Sequence, residues 1–182
     1  MTHNPCRTES EKDDMDDAVK RIVERFNLIP HPEGGYFREV YRSSTRLTHP
    51  EIEAGEIADR SAGTLIYFLL SGTDFSAFHR VRHSDEIWHL YSGGPVELFV
   101  IDASGQLEQR LLTTDLMRGE PTTVIPAGAW QSARLADSAA WALGGCTVAP
   151  GFQFEDFEMP SRAELLERFP DHRELICELA RS

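Results

Sequence analysis

Between residues 36 and 159 the chain is an almost unbroken series of short segments with strand character. Residues 36–42, 64–70, 75–81, 86–91, 96–101, 106–113, 122–126, 131–135, 141–149 and 153–159 are rich in aliphatic, aromatic and β-branched side chains. Clusters of Gly, Pro, Asp and Ser separate them, as in Ser71-Gly72, Ser92-Gly93-Gly94-Pro95 and Asp102-Ala-Ser-Gly105. Strands this short and this regularly punctuated cannot each bury a face alone, so they must close on one another as a sandwich or barrel. Residues 64–70 are apolar on both faces and read as a buried strand. In 36–42, alternation puts Tyr36, Arg38, Val40 and Arg42 on one face and Phe37, Glu39 and Tyr41 on the other. Residues 30–35, with two prolines and two glycines, read as a turn, and the polar residues 43–62 as a loop.

Helical signals flank the strand series. Met15, Val19, Ile22, Val23 and Phe26 share one face of a helix over 14–27, capped by Asp13 or Asp14. After the strands, Ser161-x-x-Glu164 and Asp171-x-x-Glu174 each have the form of a capping box, with Pro170 between them. Leu165, Leu166, Phe169, Leu175, Ile176 and Leu179 supply packing faces. Residues 1–13 read as a disordered or loosely held tail, and 14–182 as a single domain, all-β with an N-terminal helix and short C-terminal helices.

Of 182 residues, 30 are acidic and 18 basic, a formal net charge of −12 that argues against a nucleic-acid binder. The acidic runs at 9–17, 51–56 and 155–158 read as solvated faces or tail. Cys6, Cys146 and Cys177 are odd in number, far apart and without CxxC spacing, which fits a reduced, cytoplasmic compartment. Cys146, among small and apolar neighbours, reads as a buried hydrophobe and not a nucleophile. No apolar run approaches the roughly 20 residues of a membrane span, and no apolar signal region opens the chain. GxGxxG, Walker, GxSxG and HExxH patterns are absent.

The chemistry-bearing residues concentrate in 72–94 and 119–131. Ala77, His79 and Val81 share a strand face, as do Glu86, Trp88 and Leu90. If residues 82–85 close a hairpin, His79 and Glu86 face one interior. Such a pair can bind a metal, act as acid and base, or satisfy each other. Zinc or iron wants at least three nitrogen or carboxylate ligands, and here only His79, Glu86 and the neutral oxygen of Gln131 offer themselves. His83 belongs to the turn and is expected to be exposed. His89 falls on the face opposite Glu86 unless a bulge reverses it. Asp85, also opposite, cannot share a proton with Glu86. Arg38, Arg42, Arg80 and Arg82 are either surface ion pairs or forks for an anionic ligand. Trp88, Trp130, Tyr36 and Tyr67 are either core or a stacking surface.

Several blocks together carry a family resemblance. These are His31-Pro-Glu-Gly-Gly-Tyr-Phe-Arg-Glu-Val-Tyr-Arg-Ser43, Ser76-Ala-Phe-His-Arg-Val81 with Ser84-Asp-Glu-Ile-Trp-His-Leu-Tyr91, Pro126-Ala-Gly-Ala-Trp-Gln131, and Gly145-Cys-Thr-Val-Ala-Pro-Gly-Phe152 leading into Phe154-Glu-Asp-Phe157. Over residues 25–160 the chain resembles the small RmlC-like jelly-roll subfamily of the cupin superfamily known as cupin family 5, a domain of unknown function. The resemblance implies a double-stranded β-helix with a ligand-sized cavity, as a homodimer. In the wider superfamily two histidines two apart, a glutamate and a later histidine hold a metal. His79 and Glu86 match that pattern, while Val81 and Gln131 replace the other two ligands.

Three readings follow. One is a metal-independent epimerase or isomerase acting on a sugar or sugar-nucleotide-like metabolite, with His79 as base and Glu86 as its orienter or the acid. Arg38, Trp88, His89, Trp130 and Gln131 are then the ligand-binding candidates. The second is a non-catalytic metabolite-binding cupin. The third is a cupin enzyme holding a divalent metal through His79, Glu86 and Gln131; the first two need no cofactor. All three expect a small-molecule partner, and neither nucleic acid nor membrane.

Overall fold

The computed structural model describes residues 9–47, 60–136 and 139–182, with side chains from residue 17 onward. Of the expected tail, residues 1–8 lie outside this set, as does most of the loop expected at 43–62. Helix α1 (Glu9–Phe26) starts earlier than its apolar stripe requires, because acidic residues from Glu9 onward suit the positive end of a helix. It ends at Asn27, which takes a left-handed φ of 50°.

The strands follow in chain order: β1 (Ile29–Pro30), β2 (Tyr36–Arg42), β3 (Arg46–Leu47), β4 (Arg60–Ser61), β5 (Thr64–Ser71), β6 (Phe75–Val81), β7 (Asp85–Gly93), β8 (Val96–Ile101), β9 (Leu107–Leu112), β10 (Thr122–Ile125), β11 (Trp130–Leu135), β12 (Trp141–Ala149) and β13 (Phe157–Glu158). Helices α2 (Arg162–Arg168) and α3 (Arg173–Leu179) close the chain. One sheet runs β1-β2-β5-β12-β7-β10 and the other β13-β6-β11-β8-β9; β3 and β4 pair separately. From β5 to β8 each strand sits in the sheet opposite its predecessor, and β10 to β13 alternate in the same way. This is the expected all-β jelly roll.

Three corrections to the expected elements stand out. Residues 82–84 do not close a hairpin; they carry the chain from one sheet to the other. Residues 153–159 form not one strand but a 3-10 turn at Phe154–Asp156 followed by the short β13. The Ser161–Glu164 capping box forms, whereas Asp171 sits inside a 3-10 turn that begins at Pro170 and caps nothing. Proline fixes φ for that tight turn, so α3 is entered through His172 instead.

Apolar residues fill three layers. Phe68, Leu70, Trp88, Leu90, Leu98, Val100 and Ile125 pack between the sheets. Phe78, Phe99, Ile101 and Trp130 lie on the outer face of the five-stranded sheet under Leu165, Ile176 and Leu179 of the C-terminal helices. Leu69 and Leu143, on the outer face of the other sheet, pack with Leu28 against Ile22, Val23 and Phe26 of α1. Alternate residues of β5 thus feed different layers, which explains why that strand is apolar on both faces. One end of the space between the sheets is left open, and the polar residues collect there.

Candidate functional site

The open end is a cavity of about 340 Å³, large enough for a small metabolite. His79 reaches it from β6 and Glu86 from β7, so the two face each other from opposite sheets. Both are buried, at 2% and 7% exposure. A third strand residue joins them through a bulge. Gln131 and Ala133, two apart in β11, pair with His79 and Ser76, three apart in β6. The extra residue brings Ser76 onto the His79 side, against simple alternation.

Two further groups come from the turn before β2, where residue types alone indicated only a change of direction. His31 and Glu33 flank Pro32, and Glu33 is 5% exposed. Gly34 (φ 118°) and Gly35 (φ 67°) make this tuck feasible. A Cβ at Gly34 would collide with the Phe75 carbonyl oxygen, and one at Gly35 would lie 2.6 Å from that of Leu69. Glu33 Oε1 accepts a hydrogen bond from Ser76 Oγ at 2.9 Å. Its Oε2 lies 3.3 Å from His79 Nε2 and 3.4 Å from His31 Nδ1.

Hydrogen bonding fixes the tautomers. His79 Nδ1 is 2.8 Å from the Ala77 carbonyl oxygen, which can only accept, so the ring proton sits on Nδ1. In neutral His79 the Nε2 lone pair therefore points at Glu33. The Glu33 backbone N–H donates to His31 Nδ1 at 3.3 Å, which leaves His31 protonated on Nε2. Burial pushes the Glu33 carboxyl up to about 8, against the Ser76 hydrogen bond. Burial, and then the neighbouring His79, push His31 down to about 4. Burial also lowers His79, opposed by the Glu86 charge and the Ala77 carbonyl. At neutral pH the floor thus sets neutral imidazoles against a protonated Glu33.

Glu86 is raised by burial, opposed first by the His79 charge. It accepts from Gln131 Nε2 at 2.6 Å and from the Cys146 thiol. Gln131 Oε1 in turn accepts from the Trp88 indole N–H at 2.9 Å. Because an indole nitrogen can only donate, the amide has one orientation: oxygen toward Trp88, nitrogen toward Glu86. Cys146 is buried as expected, but it also lines the cavity; burial and then the Glu86 charge hold its thiol well above the ordinary range, so it acts as a donor.

The wall is aromatic, with Phe37, Phe152, Phe154 and Phe157 around the opening. Phe152 packs edge-on to Phe154 at 5.1 Å, and Phe157 lies 5.3 Å from the His79 ring. At the rim, Arg42 grips Glu39 through both carboxylate oxygens at 2.9 and 2.6 Å and donates to the Phe152 carbonyl at 3.2 Å. A register shift between Glu39 and Tyr41 turns Arg42 to the cavity side, away from the face that alternation assigns it.

Of the residues singled out from sequence, the cavity lining unites His79 and Glu86, with Gln131 behind Glu86. Trp88 lies in the inter-sheet core and reaches the site only through Gln131. Arg38 lies on the outer face, 5.8 Å from the Tyr67 ring centre. His89 is also outside; the β7 irregularity falls beyond it, and its Nε2 meets Thr147 Oγ1 at 3.1 Å. Trp130 is buried beneath the C-terminal helices, with Arg80 and Arg168 over its ring. Arg80 and Arg82 pair with Glu158. His83 is half-buried instead of exposed, because residues 82–84 cross between sheets. Asp85 turns outward and accepts from the Ala127 N–H.

Residues 20–160 match the family described as Cupin_5, Cupin superfamily (DUF985). The chain belongs to this cupin family. An uncharacterized protein of Saccharomyces cerevisiae is 29% identical to this cupin over 149 residues, 76% of this chain and 73% of the yeast one. A hypothetical protein from Leishmania major superposes with a TM-score of 0.78 at 32% identity, covering 90% of this chain and 98% of that one. A protein from Shewanella oneidensis gives 0.78 at 33%, covering 89% and 96%.

The superfamily's four-residue metal-ligand set is not complete in this cupin. Val81 has no donor atom, and Gln131 turns its N–H groups, not its oxygen, toward Glu86. Among the described residues no three His, Cys, Asp or Glu side chains converge as a metal site. The described residues also contain no helix long and apolar enough to cross a membrane.

Proposed function

We propose that the cavity is the site of metal-independent proton transfer on a small carbonyl-bearing metabolite of the sugar or sugar-nucleotide-like class, an epimerisation or isomerisation. The observation that carries this reading is the unprotonated His79 Nε2 facing the Glu33 carboxyl at the floor of an aromatic-walled cavity. His79 Nε2 takes the proton from the carbon beside the carbonyl. The C–H electron pair moves into the carbonyl group, whose oxygen takes the Glu33 proton, giving a neutral enediol. Return of a proton to carbon on the other face, or at the neighbouring carbon, completes the change. Glu86 stabilises the imidazolium that forms, and Gln131 with Cys146 holds Glu86 in place. The acid is thus assigned to Glu33, and the supporting role to Glu86.

Incubation with aldoses, ketoses and keto-sugar nucleotides in heavy water, followed by NMR, tests this directly. Carbon-bound deuterium is expected with the wild type, and a loss of about 10²-fold or more in rate with His79→Asn. Absence of exchange with every substrate would defeat the proposal.

The non-catalytic reading also has an observation in its favour. Glu33, Glu86 and His79 all have hydrogen-bond partners within the protein, so the floor is complete without chemistry. Native mass spectrometry showing a co-purified metabolite that survives unchanged for hours would favour it.

A further inference from the structure

The ligand's charge can be read from how the cavity deals with its own. Among the described residues lining it, Arg42 is the single cation, and it is already spent on Glu39 and the Phe152 carbonyl. The other ionisable lining groups are carboxyls and imidazoles, apart from the Cys146 thiol. Sites that hold phosphate offer guanidinium forks, ammonium groups or free backbone N–H groups. Here an anion would meet Glu39 and Glu155 at the rim and Glu86 at the floor, with no free fork to receive it. An ionised group desolvated without a partner is heavily disfavoured. A cation fares little better, because Glu39 is held by Arg42 and Glu86 by Gln131 and Cys146. What remains unengaged is aromatic surface, with Phe154 56% exposed at the opening, and the single solvated carboxylate of Glu155 beside it.

We infer that the cavity selects an uncharged, phosphate-free ligand, whose apolar face lies on Phe152, Phe154 and Phe157 and whose hydroxyl or carbonyl group meets the His79–Glu33 pair. This deepens the proposed function: it rests on that reading in taking this cavity as the ligand site, and it narrows the substrate to the unphosphorylated members of its class.

Three matched probes test it, in NMR titrations of the whole protein at neutral pH followed through the amides of Gln153 and Phe154. Benzyl alcohol is expected to move these resonances at millimolar concentration. Benzyl phosphate is expected to bind about tenfold more weakly or worse, and benzylamine no more tightly than the alcohol. Glu39→Gln releases the Arg42 fork and is expected to raise the benzyl phosphate affinity about tenfold. Benzyl phosphate binding as tightly as the alcohol, benzylamine binding more tightly, no response to the alcohol, or no gain in Glu39→Gln would each overturn the inference. The two proposals fail separately. Proton exchange on a sugar phosphate alone would sink the charge rule and leave the chemistry standing. Benzyl alcohol binding without exchange on any sugar would do the reverse.

Discussion

Glu33 sets the pH response of the floor. Its carboxyl titrates at about 8 in the fold against an ordinary 4.5, so the folded chain holds a proton there that the unfolded chain releases. Its contribution to stability is complete below the unfolded value and is lost as pH rises through about 8. His31, down at about 4 from 6.5, acts in the opposite sense: its contribution is complete above 6.5 and lost as pH falls toward 4. Above the His31 window, from pH 6.5 to 8, Glu33 acts without His31. Denaturant titrations at the two pH values should show the stability of Glu33→Gln gaining about 2 kcal/mol on the wild type. Loss of the Glu33 proton also removes the acid, so exchange is expected to decline as pH rises through about 8.

At the scale of elements, the turn ahead of β2 determines whether Glu33 arrives at all. Gly34→Ala forces a side chain into φ 118° and against the Phe75 carbonyl. A loss of about 1–3 kcal/mol from backbone conformation alone is expected, with exchange falling further than the melting temperature implies. The same turn shows where sequence patterns stop. Alternation kept Asp85 off the Glu86 face, and that reading holds; it tied a shared interior for His79 and Glu86 to a hairpin at 82–85 that does not form, and the two meet instead from opposite sheets. Arg42 reaches the cavity, and Ser76 the Glu33 carboxyl behind it, only through one-residue slips that no period-two pattern encodes. Proline and glycine marked residues 30–35 as a turn correctly, yet turn chemistry does not say what the tip looks into. The nearest signal was the unusual charge and imidazole in His31-Pro-Glu33, between breakers that need neither.

For the molecule as a whole, the nine longer strands were readable in order, but the two-residue strands β1, β3 and β4 were not, nor was the partner of any strand. Sheet alternation along the chain is a tertiary property; two neighbouring strands look alike whether they pair or part, and so 82–84 read as a hairpin. That alternation assembles the cavity from β2, β5, β6, β7, β12 and the 152–157 segment, so its shape depends on distant links. One is the buried pair Arg60 Nη2–Asp156 Oδ2 at 2.7 Å, which ties β4 to the turn at the opening. Asp156→Asn is expected to cost about 3–5 kcal/mol in denaturant unfolding, as removal of one partner of a buried pair does. The accompanying loosening of Phe154 should show as faster amide hydrogen exchange there.

The Trp88 indole has a reach beyond its own packing. It touches no ligand, yet it dictates which end of the amide at position 131 the pocket receives. An evolutionary or engineered path back to ion coordination therefore does not begin among the lining residues. Exchanging the amide alone would leave the indole N–H in search of an acceptor, and so the first step has to be taken in the core.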